Sequence, residues 1–314
     1  EYALLNNKGG AVAFYGTTRT VYAQYNRHIN RAFIHRVLSL VDGKPITIGE
    51  AHRLAQNDLV SGNGPTSGSD VTVNHLHYSL LGDPALALNL PMHQIVVDSI
   101  NGIPVAEFET LPMLKAGSIA RMAGHIEGAD DFRGVITATV RDSKETVTCR
   151  LNDTGKDGAE KAFEYKDRTK TLYQGTDSVR GGKFTFSFAV PLDINYSNQS
   201  GLVNLYAVNT AKTLSAHGSS EQFTVGESEE QKNDSIGPSI YCYLNSPSFV
   251  DGGNVNTTPF FVAKIIDKDG INAAGSGIGH DLQLVIDGDM SKTYVLNSNF
   301  IYDFGTYTSG STYY

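Results

Sequence analysis

The chain has 314 residues, a net charge of -8 at pH 7 and 40% apolar residues. That is room for two or three domains with packed cores, which excludes global disorder, and the acidic balance argues against a broad nucleic-acid surface. No run approaches the roughly 18 apolar residues of a membrane-spanning helix, and 32 glycines with 16 tyrosines, 14 phenylalanines and no tryptophan favour β-rich domains with many turns.

The first segment reads as α/β. Glu1-Tyr2-Ala3-Leu4-Leu5-Asn6 has the pattern of neither a signal peptide nor a domain start. In GGAVAFYGTTRTVYAQYN, Gly9 to Asn26, the apolar run Ala11 to Tyr15 between glycines predicts a buried parallel strand. Ligands in open α/β sheets bind beyond the carboxyl ends of strands. Thr17, Thr18, Arg19, Tyr22 and Tyr25 are therefore candidate substrate-binding residues, with an ordinary strand-to-helix loop as the alternative. Asn26 to Val41 carries Ile29, Phe33, Val37 and Leu40 at helical spacing, widened by Ile34 and Leu38. Asp42-Gly43-Lys44-Pro45 ends that helix, and Thr47 with Glu50 forms a capping-box pattern for a second one carrying Ala51, Leu54 and Ala55 inward. Ser61 to Asp70 reads as a loop, and His75 to Leu81 as a returning strand, on which His75 and His77 would share a face. No further ligand-type residue accompanies those two histidines at metal-site spacing.

From Ile95 the pattern changes to short alternating runs. Ser118 to Glu127, Gly134 to Val140, Thr146 to Leu151, Lys183 to Val190, Gly201 to Asn209 and Glu221 to Val225 predict strands, and Phe184, Phe186 and Phe188 face one way with a period of two. That spacing suggests an immunoglobulin-like sandwich over 93–226. Asn152 to Arg180 reads as a long polar loop or a hairpin extension, and the charged stretch 227–236 as a linker. A second sandwich, 237–314, has its clearest strands at Ile240 to Leu244, Pro259 to Asp267 and Leu282 to Gly288, too few for a complete one. The chain is thus expected to be a piece of a longer protein at both ends. Asp267, Asp269 and Asn272 offer oxygen ligands that a calcium ion could use, but no distal glutamate follows; a turn built for local backbone reasons is the alternative.

Several stretches, in order, resemble one family. GGAVAFYGTTRTVY, GKPITIGEAHRLAQND, NHLHYSLLGDPALAL and IVVDSINGIPV are similar to the gingipain family of cysteine peptidases, and within it to the sortases of the type IX secretion system of Bacteroidetes. FEYKDRTKTLYQGTDSVRGGKFTFSFAVPLDINYSNQSG and GINAAGSGIGHDLQLVIDG resemble the region downstream of such a peptidase domain. The resemblance implies a mixed α/β and all-β architecture: the C-terminal part of a caspase/gingipain-like α/β peptidase domain, 1–92, followed by immunoglobulin-like β-sandwich domains. It implies a cell-surface enzyme on the outer membrane of a Gram-negative bacterium. Such an enzyme removes C-terminal secretion signals from cargo, transfers the cargo to lipopolysaccharide and works with outer-membrane secretion components.

It also implies that the catalytic His and Cys lie upstream of Gly9. A cysteine peptidase needs a thiolate beside a histidine and an oxyanion hole. Cys149 and Cys242 sit far apart in β-rich segments without a histidine partner, so each is expected to be a small buried apolar residue, not a nucleophile. The family's specificity wall falls near Thr17, Thr18, Tyr22 and Tyr25; tryptophan and methionine stand there in its proteases, so their Arg or Lys pocket does not carry over. The competing expectation is a non-catalytic scaffold of β-sandwiches that docks onto outer-membrane partners.

Overall fold

The computed structural model describes residues 4, 6, 9–61, 70–150, 155, 158, 160–229, 236–274 and 281–314. It divides into two compact units, Glu1–Leu90 and Pro91–Tyr314.

The first unit opens with β1, Ala13–Thr17, and α1, Ala23–Val37. The hairpin β2, Leu40–Val41, and β3, Lys44–Pro45, precedes α2, Ile48–Val60. A six-residue helix, α3, Thr72–His77, runs directly into β4, Tyr78–Gly82. β1 pairs antiparallel with β4, from Ala13 opposite Gly82 to Thr17 opposite Tyr78. The parallel, buried strand expected at Ala11 to Tyr15 is therefore corrected. The outward residues Val12 and Phe14 are apolar yet exposed, 73% and 48%, so a half-buried alternation has the sequence of a continuous apolar run. α1 starts three residues earlier than Asn26 and stops at Val37. Ile29, Phe33 and Val37 are buried as expected, but Ile34 and Leu38 are exposed and Leu40 lies on β2. The Asp42-Gly43 turn takes positive φ at both residues, 49° and 72°, the geometry that closes a two-residue hairpin.

Thr47 caps α2 as read, its hydroxyl accepting from the Glu50 amide at 3.2 Å. Glu50 does not reach back; its carboxylate pairs with Arg53 at 2.6 Å. The remaining first-turn donors are met from the far end of the unit, where the Ile48 amide donates to Leu86 O (2.8 Å) and the Gly49 amide to Pro84 O (3.0 Å). A Cβ at Gly49 would come within 2.8 Å of Pro84 O, so only glycine admits this crossing. The core of the unit is Ile29, Phe33, Val37, Ile48, Ala51, Ala55, Leu59 and Tyr78. The expected loop Ser61 to Asp70 falls largely outside the described residues.

Among the described residues, the regular structure of the second unit is strand apart from three single 3-10 turns. Its largest sheet is built from β5 (His93–Ile100), β6 (Ile103–Pro104), β8 (Ile119–Ile126), β9 (Gly134–Arg141), β12 (Thr171–Val179), β13 (Lys183–Ala189), β15 (Leu202–Asn209) and β16 (Ser215–Ser220). The order is β12-β9-β15-β16-β5-β8-β13, with β6 on β5, and only the β16–β5 pairing is parallel. The two end strands face each other through stacked rings: Tyr173 of β12 lies 6.1 Å from Phe186 and 5.1 Å from Phe188 of β13. Phe184, Phe186 and Phe188 are all buried, as their spacing predicts. β7 (Met113–Ala116), β14 (Gln199–Ser200) and β17 (Thr224–Ser228) form a second sheet. The long loop expected over Asn152 to Arg180 is corrected in its second half, where Thr171–Val179 is the strand β12 with Leu172, Tyr173 and Val179 buried; ahead of it β11, Glu164–Asp167, pairs antiparallel with β10, Glu145–Thr148.

A four-stranded sheet follows, in the order β18 (Ser239–Leu244), β19 (Phe261–Ile266), β23 (Ser309–Tyr313), β22 (Ile301–Tyr302). Among the described residues β20, Gln283–Val285, pairs with β21, Thr293–Val295, alone, so the strand expected over Leu282 to Gly288 is shorter than read; Asp287 and Gly288 turn at positive φ. Ile265, Ile271 and Tyr302 belong to the same buried cluster as Phe186 and Phe188, and the Tyr302 hydroxyl donates to Ile271 O at 2.5 Å. The expected linker 227–236 lies mostly outside the described residues. Phe188 is fully buried at the junction of these rings. Phe188→Ala is expected to lower stability by about 3–5 kcal/mol, read as a shift in the urea midpoint of the second unit; a loss under about 1 kcal/mol would contradict this packing.

Candidate functional site

The candidate residues form one segment, from Thr17 at the end of β1 through the connecting loop to Tyr25 in the first turn of α1. Thr17, Thr18, Arg19 and Tyr22 are exposed and Tyr25 is half-buried. Tyr22 and Tyr25 meet edge to face, with ring centroids 6.1 Å apart and planes at 80°. The structure thus brings these five positions together on one stretch of surface. Among the described residues Arg19 makes no ion pair, although the carboxylates of Glu50 and Asp58 are taken by Arg53 and Arg36.

The loop is held by α3 and the residues that follow it. The Thr18 amide and hydroxyl both donate to His77 O, at 2.9 Å and 3.2 Å. His77 Nδ1 lies 3.4 Å from Thr20 O. Asn74, fully buried, accepts from the Tyr22 amide through Oδ1 and donates through Nδ2 to Tyr22 O, each at 3.0 Å. Tyr22 is the N-cap of α1, and its carbonyl also accepts the first helical bond from the Asn26 amide at 3.0 Å. Its side chain makes no cap bond, so the helix start is tied from outside. Asn26 and Asn30 then form a polar knot with the Tyr78 hydroxyl, which donates to Asn26 Oδ1; Asn30 Nδ2 lies 2.8 Å from both partners.

Asn74 carries no local sequence signal, because its partner is 52 positions away. The strand expected over His75 to Leu81 begins at Tyr78, as β4, and its first part is corrected: His75 and His77 end a helix, where residues two apart point to different sides and do not form a shared metal face. Among the described residues no group of three or more His, Cys, Asp or Glu is arranged to hold a metal ion. At the proposed calcium turn the oxygens serve the backbone and neighbours. Asp267 Oδ1 accepts from the Asp269 amide at 2.9 Å, and Asn272 donates to Asp193 Oδ1 at 3.0 Å while accepting from the Ala274 amide. Cys149 is half-buried and Cys242 exposed on the edge strand β18, so the expectation that both are buried is corrected. Neither forms a disulfide, and desolvation holds the Cys242 thiol above its ordinary pKa, away from the thiolate a nucleophile needs.

Behind the loop, Tyr15 stacks on Phe33 at 3.9 Å and meets His52 edge-on at 5.5 Å. Among the described residues nothing pairs with the buried Tyr15 hydroxyl, His52 Nδ1 or Gln56 Oε1. Burial, then the neighbouring Tyr78, pushes the Tyr15 hydroxyl far above its usual pKa, so it stays protonated. Desolvation, then the nearby His75, pulls His52 below the ordinary histidine value.

Compared with known proteins, residues 1–89 match the family model described as Peptidase family C25. No curated protein matches. Among solved structures the chain is similar to the crystal structure of dimeric latent PorU from Porphyromonas gingivalis, at 30% identity and a TM-score of 0.50, with 96% of this chain and 28% of that one covered. The chain therefore spans under a third of the relative it matches. The gingipain kinship read from the sequence is borne out, carried by the family match over the first unit and the PorU-like fold.

His52 generates a pH prediction. Its folded pKa lies below the unfolded value of about 6.5, so its stabilising neutral form is fully present above that pH and is lost as pH falls toward the folded value. The stability of wild type minus that of His52→Leu should fall as pH drops from about 7 to about 5. A difference that is flat or grows in that window, measured by thermal unfolding at each pH, would contradict the assignment.

Proposed function

We propose that this chain is part of a cell-surface cysteine endopeptidase and transpeptidase, a sortase of type IX secretion. The loop Thr17 to Tyr25 walls its substrate site, and the catalytic Cys and His lie outside these residues. The observation that carries the reading is the likeness to PorU over 96% of the chain, spanning both units in order. A physical observation supports it: among the described residues β1 and β4 form a two-stranded sheet, with the apolar side chains of Phe14 and Leu81 exposed on its outer face. Open strand edges and an exposed apolar face are where further strands of a peptidase domain would pair and pack.

In this reading a thiolate attacks the carbonyl carbon joining cargo to its C-terminal secretion signal. A thioester forms and the signal leaves as an amine. Water then releases free cargo, or an amine of lipopolysaccharide takes the acyl group; the two outcomes differ only in what resolves the thioester. Secreted cargo, outer-membrane secretion components and lipopolysaccharide are the partners this implies, on the outer face of a Gram-negative bacterium. The second unit, as immunoglobulin-like sandwiches at 93–226 and 237–314 joined by 227–236, carries the peptidase at that surface.

A second reading, a non-catalytic docking scaffold, is favoured by one feature. The edge strand β18 leaves Ile240 and Tyr241 exposed, beside the exposed Ile266 of β19. Activity separates the two readings. The 314-residue chain alone is expected to hydrolyse neither Arg, Lys nor signal-bearing substrates, whereas the full-length protein cleaves signal-bearing cargo in a reaction stopped by a thiol alkylator. Thiol-sensitive turnover by the short chain that tracks with Cys149 or Cys242, or none by the full-length protein, would overturn the peptidase reading.

A further inference from the structure

We propose that Asn74 is the positioning residue of the substrate loop. Its buried amide fixes the Tyr22 backbone and thereby the pairing of the exposed Tyr22 ring with the half-buried Tyr25; the role in substrate binding rests on the peptidase reading above.

The geometry is specific. A side-chain amide presents one acceptor and one donor side by side, and Asn74 spends both on a single residue, accepting from the Tyr22 amide and donating to its carbonyl at 3.0 Å each. This is how one strand addresses another, performed by a side chain. Asn74 is fully buried, so a lost partner would leave polar atoms unpaired away from water. Tyr22 has no side-chain cap of its own at the start of α1, so the contact from Asn74 takes that place.

The Tyr22 carbonyl is already committed to the Asn26 amide, so the Asn74 contact fixes where α1 begins as well as where the loop ends. The opposite end of the loop is fixed by the two Thr18 bonds to His77 O, which leaves α3 gripping residues 18 and 22 together. Between them Arg19 stays exposed. Tyr22, 59% exposed, presents its ring to solvent at an angle set by Tyr25. A loop held at both ends offers its side chains in one arrangement, so ligand binding need not order it.

Two readouts test this. In the 314-residue chain, trypsin cuts after Arg19 only when the loop opens. Asn74→Ala is expected to raise the cutting rate about tenfold, and Leu76→Ala, exposed on the same short helix, to leave it at the wild-type rate. Asn74→Asp keeps the acceptor and loses the donor, so it should fall between, and it carries the test if Asn74→Ala does not fold. Cutting of both Asn74 variants at the wild-type rate would overturn the proposal.

In the full-length protein the same variants should raise KM for a signal-bearing peptide about tenfold with kcat within about twofold. A role confined to folding would instead lower the active fraction with KM unchanged, and that result would also overturn the proposal. A full-length protein without peptidase activity would defeat the peptidase reading, while the trypsin rates would still decide whether Asn74 holds the loop.

Discussion

A two-stranded sheet does not hold itself together in water, and everything at the candidate site depends on what seals the inner face of β1 and β4. That seal is Tyr15. Its ring lies flat on Phe33 of α1, edge-on to His52 of α2 and 5.0 Å from Tyr78 of β4, so one side chain touches both long helices and both strands. With the sheet fixed, Tyr78 can knot to Asn26 and Asn30, α3 is set just ahead of β4, and its asparagine and His77 carbonyl reach the loop after β1. The loop is ordered from its neighbours; its own sequence supplies no cap and no turn signature that would do this.

What was legible follows the range of the interactions. Period-two burial of Phe184, Phe186 and Phe188, the Ile29-Phe33-Val37 stripe and the Thr47 cap are local patterns and could be read directly. The errors share a cause. Val12 and Phe14 are apolar on an exposed face, so composition alone could not separate a half-covered antiparallel strand from a buried parallel one. His75 to His77 had alternating chemistry but lies in a helix one and a half turns long, too short to establish a period. The five candidate residues fall close together in sequence and could be considered as a group; the Asn74 clamp had no such signal, because it joins positions 22 and 74.

The second unit follows the opposite logic. Its core is large and continuous, from Ile95 through Phe188 to Tyr302, and aromatic stacking across β12 and β13 closes the largest sheet upon itself. The sheet ending at β18 joins that core through Ile265 and Tyr302, while β18 itself stays open to solvent on an edge. Rigidity in this unit comes from buried area; in the first unit it comes from a small core and a few hydrogen bonds. Loops that bind ligands are commonly carried by scaffolds of the second sort and drawn from regions of the first.

The central claim is that residues 17–25 wall the substrate site of a cysteine peptidase whose nucleophile lies outside this chain. The most direct measurement is labelling of the full-length protein with a thiol-reactive peptide that carries a photo-crosslinker beside its reactive group, followed by peptide mapping. The account predicts a covalent adduct on a cysteine other than Cys149 or Cys242, with photo-crosslinks to Thr17, Thr18, Arg19, Tyr22 or Tyr25. Photo-crosslinks confined to residues beyond 90, or an adduct on Cys149 or Cys242, would contradict it.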